Sequence, residues 1–506
     1  MAQTIWPKVK PSFVSAMLAG HSALGLAFAV LIYVVCLSGT VLVMAHEIDR
    51  WETPNAPVME EVETPVLAAA LQAGIVEARA AGVTDYVNVT TPHDGTPTLS
   101  VRYADFETGE EKTFALDETG AVVGERADGF GHFMEHLHFY LHLPQTIGLF
   151  VVGLIGVALL SSVWSGVLSH PRIFRDAFRF RRGGTKRLEE ADLHNRLSVW
   201  GLPFHIVVPL TGAILGLSTL VLGILAMAAF DGDMARAGEV VGGPRVEAND
   251  APMALPDIVP LVDGLKADHP DAKVARLGIR SVGTKGQWVQ VDLATADDLT
   301  VTDRYIFDGE GAYLGSRGFS DGSLGNQVIG ALGPLHFGWW GAGVWAGLVK
   351  ASYVLLGFAL TVITSSGVAI WIARRKAKGK PVPGWEKAWT GAVWGQPLAY
   401  AGVALAALAG LHVPEVALYL LLCAAAFVPA FFVPALTLSR MLRIASAVAI
   451  VLVVAVHVGV HGLFPADGMA VFINLLLLLA AGLLAGSVGN LLGALSGRRP
   501  AGVPAE

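Results

Sequence analysis

The chain alternates long apolar runs with two long polar stretches. Eight apolar runs are long enough to cross the roughly 30 Å hydrocarbon core of a bilayer. They cover residues 17–46, 144–169, 199–230, 339–373, 394–411, 415–437, 442–463 and 468–494, and the polar stretches cover 47–143 and 231–335. This pattern predicts an α-helical integral membrane protein with about eight transmembrane helices. The first run is too long for the apolar region of a signal peptide, so we expect it to remain as a span.

Basic residues are concentrated in three of the connections between apolar runs and after the last run. They occur in 170–187 and 374–387, at Arg440 and Arg443, and at Arg498 and Arg499, whereas the turns near Glu415 and Asp467 contain neither Lys nor Arg. Cytoplasmic loops of membrane proteins carry an excess of Lys and Arg. The distribution therefore predicts a bacterial inner-membrane protein with cytoplasmic termini and with both polar stretches in the periplasm.

The composition is typical of a membrane protein and argues against nucleic-acid binding and against disulfide bonds. Of the 506 residues, 53% are hydrophobic and 15% are charged, and the formal net charge is −7. The sequence contains no stripe of basic residues of the kind that binds nucleic acid, so we expect no nucleic-acid partner. Cys36 and Cys423 both lie inside apolar runs, which excludes a disulfide framework. Membrane lipid is therefore the first partner that we expect.

The first 376 residues contain the same unit twice, and each unit is a span, a polar domain and a returning span. Each first span has a histidine near its start and, seventeen positions later, a hydroxyl residue followed by glycine. Each returning span follows a Leu-His-Phe sequence and has a Ser-Gly pair near its far end. The matched residues are His21, Ser38-Gly39, His138 and Ser165-Gly166 in the first unit, and His194, Thr211-Gly212, His336 and Ser366-Gly367 in the second.

Each polar stretch has the pattern of a small α+β module. Residues 66–80 and 256–266 have helical periodicity, and residues 86–89 and 288–292 alternate as strands with one buried face. An aspartate-to-glycine turn sequence occurs at 117–120 and again at 308–311. We therefore expect one helix followed by antiparallel strands in each module.

These features resemble the PepSY-associated transmembrane family, which includes iron-regulated membrane proteins and periplasmic siderophore reductases. The resemblance covers about residues 15–376 and rests on residues 20–26, 47–49, 137–141, 192–194 and 335–338. Ser22 departs from the family, which usually has an aromatic residue there. The resemblance implies two periplasmic PepSY-like domains, inserted between spans 1 and 2 and between spans 3 and 4.

The predicted domain organisation has six parts. They are the first span (1–46), the first PepSY-like domain (47–143), spans 2 and 3 with a cytoplasmic basic loop (144–230), the second PepSY-like domain (231–338), span 4 (339–376) and a C-terminal four-span bundle (377–506). The resemblance ends before the bundle and gives it no role.

Helix direction sorts four histidines into two pairs at matching depth. Spans 1 and 3 run outward with His21 and His194 at their inner ends, whereas spans 2 and 4 run inward from His138 and His336. Two imidazoles at one depth can bind a haem iron from opposite faces. No Cys, Asp or Glu accompanies either pair, as a zinc or di-iron site would require, and no C-x-x-C-H motif is present. We therefore predict two non-covalent b-type haems with these axial ligands, as the family resemblance also implies.

The two haems are expected near opposite membrane faces. On a straight helix, the seventeen residues from His21 to Ser38 would span about 25 Å at roughly 1.5 Å per residue. His142 is an alternative to His138 as the outer ligand, and Arg50 is a candidate contact for a haem propionate. The remaining histidines of interest are open to solvated, core or metal-binding interpretations: His132, His136, His205, His457 and His461.

The predicted function is electron transfer from a cytoplasmic or quinol donor to a periplasmic acceptor. No nucleotide-binding or flavin motif is present, so we expect the donor to be a separate molecule. The family resemblance implies a haem-dependent oxidoreductase that reduces ferric siderophores. The alternatives are a PepSY-type regulatory protein that inhibits a periplasmic peptidase, and a transporter.

Overall fold

The computed structural model describes residues 10–92, 95–126, 129–170, 172–178, 186–244, 246–295, 299, 302–317 and 324–495. Part of the first basic loop (179–185), Arg498 and Arg499 lie outside these residues. The helices, in chain order, are α1 (Pro11–Ala27), α2 (Ala29–Leu42), α3 (Ala45–Glu52), α4 (Thr64–Ala80), α5 (Phe130–Tyr140), α6 (Gln145–Ser169), α7 (Ile173–Asp176), α8 (Lys186–Trp200), α9 (Leu202–Gly216), α10 (Ser218–Ala229), α11 (Met234–Gly242), α12 (Ile258–Asp268), α13 (Leu324–Phe337), α14 (Gly343–Ala377), α15 (Pro383–Leu408), α16 (Glu415–Phe427), α17 (Ala435–His461) and α18 (Gly468–Leu495). The strands are β1 (Tyr86–Thr90), β2 (Ser100–Ala104), β3 (Glu111–Leu116), β4 (Val122–Arg126), β5 (Ala272–Arg280), β6 (Trp288–Thr295), β7 (Asp303–Asp308) and β8 (Tyr313–Arg317).

Five of the described helices are long and apolar enough to cross a membrane: α6, α14, α15, α17 and α18. The number rises to seven if two bent pairs, α1 with α2 and α8 with α9, each count as one span. The prediction of an α-helical membrane protein is confirmed, but eight spans are not. At the sixth predicted span, 415–437, α16 ends at Phe427 and a 3₁₀ helix continues only to Phe431, since Pro429 and Pro434 lack the N–H groups that would continue an α-helix.

The first span of each duplicated unit is bent rather than straight. α1 and α2 meet at 70° on either side of Phe28, and α8 and α9 meet at 71° on either side of Gly201. Each break lies seven residues after the predicted haem ligand. At Gly201 the cause is Pro203, which can begin α9 but cannot continue the hydrogen bonding of α8. The expected separation of about 25 Å, which assumed a straight helix, is therefore wrong.

The chain forms two compact units. The first contains residues 1–54, 129–216 and 353–506, and the second contains residues 55–128 and 217–352. The predicted third span, 199–230, is divided between them, since α9 ends at Gly216 in the first unit and α10 belongs to the second.

The second unit is organised around one antiparallel sheet of eight strands in the order β4-β3-β2-β1-β5-β6-β7-β8. Each polar stretch of the sequence supplies four neighbouring strands. The two halves join where β1 pairs with β5, with Tyr86 opposite Arg280 and Thr90 opposite Arg276. The two α+β modules predicted from the sequence therefore share a single continuous sheet.

Helices α4 and α12 pack against one face of this sheet. Alternate strand residues such as Val87 and Val89 of β1 and Val289 and Val291 of β6 are fully buried against them, together with Leu67 of α4. The apolar residues of β1 and β6 recur with a period of two, which places them on the face that packs against these helices, and polar residues such as Asn88 and Gln290 are buried on the other face. The predicted helices at 66–80 and 256–266 are thus confirmed as α4 and α12.

The same turn closes both halves of the sheet. In each, an aspartate carboxylate, Asp117 or Asp308, accepts hydrogen bonds from main-chain N–H groups two and four residues later. The glycine three residues after the aspartate has a positive φ, 83° at Gly120 and 87° at Gly311, where a side chain would be strained. The predicted turns at 117–120 and 308–311 are therefore confirmed.

α15 lies at the centre of the C-terminal bundle in the first unit. It packs against α16 and α17, and α18 packs against α17. Of the most apolar part of α15, 61% is buried, the largest share among the candidate spans. Gly391 and Gly395 allow close packing, because a Cβ at either would meet Phe427 or Ala426 of α16.

A polar network attaches this bundle to α3. Arg50 donates to both carboxylate oxygens of Asp467, at 2.6 and 2.8 Å. Trp51 Nε1 donates to Asn474 Oδ1 at 2.9 Å, so the Asn474 amide nitrogen donates to His457 Nδ1 at 3.1 Å. His457 Nε2 then carries the proton and donates to the Trp51 carbonyl at 2.8 Å. Both nitrogens of His457 are used, which favours a structural role over metal binding.

We expect Asp467→Asn to destabilise the docking of α3 by about 2 kcal/mol, the usual contribution of a charged hydrogen bond. Arg50 lowers the pKa of Asp467, so the stabilisation is present above the ordinary Asp pKa and is lost as pH falls through the folded-state value. Thermal unfolding in detergent would measure the change. Glu386→Gln, an exposed acid in the first turn of α15, is the control. An equal midpoint for wild type and Asp467→Asn at neutral pH would contradict the prediction.

Candidate functional site

His21 and His194 lie next to each other in the first unit. His21 is on α1 and His194 is on α8, and each precedes the bend of its helix by seven residues. Their ring centroids are 6.2 Å apart and the ring planes are at 77°. The inner pair predicted from the sequence is therefore brought together.

The Nδ1 atom of each inner histidine is hydrogen-bonded to a neighbouring helix. His21 Nδ1 lies 2.8 Å from the Ser162 carbonyl of α6, and His194 Nδ1 lies 3.0 Å from the Ile363 carbonyl of α14. A carbonyl can only accept, so Nδ1 carries the proton and Nε2 has the free lone pair. Among the described residues, no hydrogen bond to Nε2 of either ring is found. In its neutral form, each ring therefore carries its proton on Nδ1 and can bind a metal through Nε2.

His138 has the same arrangement on α5. Its Nδ1 lies 3.0 Å from the Val35 carbonyl of α2 and 3.3 Å from Ser38 Oγ. In all three cases a serine follows the carbonyl residue by three positions, donates its hydroxyl to that carbonyl, and precedes a glycine. We call this arrangement the Ser-Gly seat; its members are Val35, Ser38 and Gly39 for His138, Ser162, Ser165 and Gly166 for His21, and Ile363, Ser366 and Gly367 for His194.

The glycine of each seat makes room for the imidazole. A Cβ added at Gly39 would lie 2.5 Å from Cε1 of His138, and one at Gly166 would lie 3.1 Å from Cε1 of His21. At Gly367 the corresponding distance to His194 is 3.4 Å, an ordinary contact. The Ser-Gly pairs noticed in the sequence are therefore explained by the histidine rings that pack on them, although the sequence alone did not identify the carbonyl acceptors.

The inner pair fits a haem iron between its rings. Two imidazole nitrogens at about 2 Å from one metal ion would place the ring centroids roughly 6 Å apart, close to the 6.2 Å observed. The donor set also fits, because haem needs only two axial nitrogens and supplies its other ligands itself. His21 and His194 would hold this haem through Nε2.

The outer pair is divided between the two units. His138 belongs to the first unit, and His336, in the last turn of α13, belongs to the second. The position in the first unit that the duplication matches to Ser38-Gly39 is Thr211-Gly212 on α9. The Thr211 hydroxyl lies 3.1 Å from the Val208 carbonyl, as the serine hydroxyls do in the three seats. The local structure of a fourth seat is therefore present.

The alternative residues lie in different surroundings. The ring of His142 stacks on Phe133, at 4.6 Å between centroids, whereas the ring of His138 lies in a Ser-Gly seat. This favours His138 as the outer ligand. Nε and one terminal nitrogen of Arg50 donate to Asp467, so only its other terminal nitrogen could meet a haem propionate. His205 is buried on α9, and a Cβ at Gly201 would meet its ring.

Comparison with known proteins places most of the duplicated part of the chain in one protein family. Residues 18–374 match the family model of the PepSY-associated TM region, which is more than half of the chain, and the protein belongs to this family. A relative from Pseudomonas aeruginosa, described as an uncharacterized protein, is 29% identical over 249 residues. The matched part is 47% of this chain and 62% of the relative, so the chain spans less than two thirds of the relative's length. The family suspected from the sequence motifs is thus confirmed.

The three seat glycines provide a graded test. If these histidines hold two haems, as the sequence predicts, Gly39→Ala should displace His138 and remove one haem, Gly166→Ala should weaken binding of the other, and Gly367→Ala should leave haem content close to wild type. The order follows from the space at each position, 2.5, 3.1 and 3.4 Å from the nearest ring atom. Haem per polypeptide in purified protein measures the effect. Equal haem loss in Gly39→Ala and Gly367→Ala would show that the seats do not position the ligands.

Proposed function

We propose that this protein transfers electrons across a bacterial inner membrane through two b-type haems. His21 and His194 are the axial ligands of one haem, and His138 and His336 are those of the other. The observation that carries the proposal is the geometry of the inner pair. The Nδ1 atom of each ring is bonded to a carbonyl, which leaves Nε2 as the nitrogen that can bind iron, and the two ring centroids are 6.2 Å apart.

The residues around the inner pair orient and protect it. Carbonyls of α6 and α14 fix the ring rotation, and a hydrogen bond to Nδ1 increases the basicity of the coordinating nitrogen. When bound, haem supplies a one-electron redox centre at a depth where a bare bilayer would block electron flow. Since two imidazoles fill both axial positions, the acceptor is expected to receive electrons without binding to the iron.

A ferric siderophore is the acceptor that we propose, and the sheet offers a surface for it. The face of the sheet away from α4 and α12 carries Arg276 and Arg280 on β5 and Arg304 on β7, with β6 between these two strands. Asp292 bonds Arg304 at 3.0 Å and lies 3.9 Å from Arg276, so these two guanidinium groups share one carboxylate, and Arg280 adds a third positive charge on the same face. This excess of positive charge would attract an anionic ferric chelate.

The arginines also offer flat contact surfaces. The Arg280 guanidinium lies over Tyr86, Phe106 and Trp288, at 5.0, 4.8 and 5.5 Å from the ring centroids. Burial lowers the pKa of Arg280, yet that value starts so high that the group keeps its charge. A cation held among aromatic rings is suited to a planar, anionic ligand. Arg276 is the more accessible, with 46% of its side chain exposed.

Purified full-length protein is expected to contain about two b-type haems per chain, since two axial histidine pairs are proposed. His21→Ala and His194→Ala should each remove the same haem, and His138→Ala and His336→Ala should each remove the other. His142→Ala is the control and should retain both. Visible absorption spectra and haem extraction measure these losses.

Two outcomes would change the assignment. A colourless preparation from haem-sufficient cells would reject electron transfer and leave the regulatory and transporter alternatives. Loss of a haem in His142→Ala but not in His138→Ala would move the outer ligand to His142.

Reduced protein in proteoliposomes is expected to be reoxidised by an anionic ferric siderophore from the side of the sheet unit only. Arg276→Gln should slow this reaction several-fold at low ionic strength because it removes an exposed positive charge. Lys285→Gln, an exposed residue in the loop between β5 and β6, is the matched control. Stopped-flow spectra of the haem bands give the rates. Rapid reoxidation by another oxidant, with no response to several ferric siderophores, would keep electron transfer and reject siderophore reduction.

A further inference from the structure

Three aromatic side chains surround one arginine on the face of the sheet away from α4 and α12. Tyr86 of β1 and Trp288 of β6 are the residues paired with Arg280 across the neighbouring strands. Phe106, in the turn between β2 and β3, lies nearest to the guanidinium group, at 4.8 Å from its ring centroid to the Arg280 Cζ atom. We call these four residues the aryl cluster. All of them belong to the second unit.

The turn that carries Phe106 is fixed although its ring is exposed. The Phe106 N–H donates to the Asp85 carboxylate at 3.1 Å, and the Asp105 carboxylate accepts from the next two N–H groups, both at 2.8 Å. The Phe106 side chain is 57% exposed, so its burial contributes little to folding. The turn therefore presents an aromatic surface to solvent beside the guanidinium group of Arg280.

Tyr86 forms the floor of the aryl cluster. A Cβ at Gly278 would lie 3.0 Å from the Tyr86 ring, so the glycine lets this ring lie against the sheet. The centroids of Tyr86 and Phe106 are 5.9 Å apart. Burial raises the pKa of Tyr86, so the phenol stays neutral and adds no negative charge that would repel an anion.

Charge alone does not distinguish this surface strongly. Asp292 is bonded to Arg304, and Asp85 lies close enough to Arg280 to interact with its charge. The three arginines of this face, with Arg276, therefore have only a small excess over the carboxylates. The distinctive feature is a guanidinium group beside accessible aromatic rings, which suits a ligand that is both aromatic and anionic.

We propose that the aryl cluster binds the catecholate rings of a ferric siderophore, so that tricatecholate complexes are the preferred substrate class. A catecholate ring can stack on Phe106 and Trp288 while its anionic oxygens meet Arg280. Hydroxamate groups have no ring to stack. Arg276, four residues from Arg280 on β5, lies about 13 Å away at roughly 3.3 Å per residue and would contact another part of the same complex. This assignment rests on the proposed function, since it names the substrate of that reaction.

Binding of gallium complexes to the full-length protein tests the assignment without electron transfer, because Ga³⁺ resembles Fe³⁺ but is not reduced. Three complexes separate ring from charge: a tricatecholate, which is anionic and aromatic, a citrate complex, which is anionic without rings, and a neutral trihydroxamate. Equilibrium dialysis in detergent measures the dissociation constants. Wild type is expected to bind the tricatecholate several-fold more tightly than either of the other complexes.

Two matched variants test the ring itself. Phe106→Leu removes the exposed ring and keeps an apolar side chain, so it should weaken binding of the tricatecholate about two- to tenfold and leave binding of the citrate complex unchanged. Tyr313→Leu is the control. Tyr313 is 56% exposed but is paired with Phe307, whose side chain lies on the face covered by the helices. It should bind all three complexes as wild type does.

The outcomes separate this assignment from the proposed function. Equal affinity of wild type for the tricatecholate and for either other complex would overturn the assignment, as would wild-type affinity of Phe106→Leu for the tricatecholate. Gallium tricatecholate that binds through Phe106, together with a ferric tricatecholate that does not reoxidise reduced haem, would support the binding site and reject the proposed reduction.

Discussion

The hydrogen bond from a histidine Nδ1 to a main-chain carbonyl of the neighbouring helix governs the arrangement of the membrane unit. That carbonyl already accepts a helical hydrogen bond and a serine hydroxyl bond, as at Val35 and Ile363. A histidine can reach it only if the next helix lies very close, which is why glycine follows the serine. The same bond fixes the proton on Nδ1 and directs the Nε2 lone pair away from the seat. The close helix spacing, the Ser-Gly pair and the histidine tautomer therefore all depend on this one hydrogen bond.

The bends explain how two such histidines meet. His21 and His194 each lie on a short arm that ends seven residues later at a break of about 70°. The arms α1 and α8 therefore follow directions different from those of α2 and α9, and the two rings come within 6.2 Å. Because the bend is present in both copies, it belongs to the duplicated unit. A bent first span is consistent with a site built between helices that a straight bundle would hold farther apart.

Much of this architecture follows from local signals in the sequence, and the remainder depends on distant contacts. Periodicity and turn residues predicted α4, α12 and the turns at Asp117 and Asp308, because each is determined within a few residues. Pairing of β1 with β5 could not be predicted, since Tyr86 and Arg280 are far apart in sequence and either strand could have remained an edge. The histidine positions were visible, but their carbonyl partners are backbone atoms that leave no mark on residue identity. The bend at Phe28 could not be predicted from the sequence, because no proline lies near it.

The C-terminal bundle, beyond the part matched by the family, acts on the first repeat through specific contacts. α15 packs against α2, where Tyr33 donates to the Val393 carbonyl at 3.2 Å, and α18 packs against α3, which is bonded to Asn474 of α18 and to Asp467, the residue before it. α2 carries the Val35 carbonyl and Gly39, which hold His138. The direction of α2 is not set by α1, because the two helices meet at a 70° bend, so contacts with other helices must fix its position. The bundle therefore stabilises the helix on which the outer histidine rests, a structural role that requires no cofactor within the bundle itself.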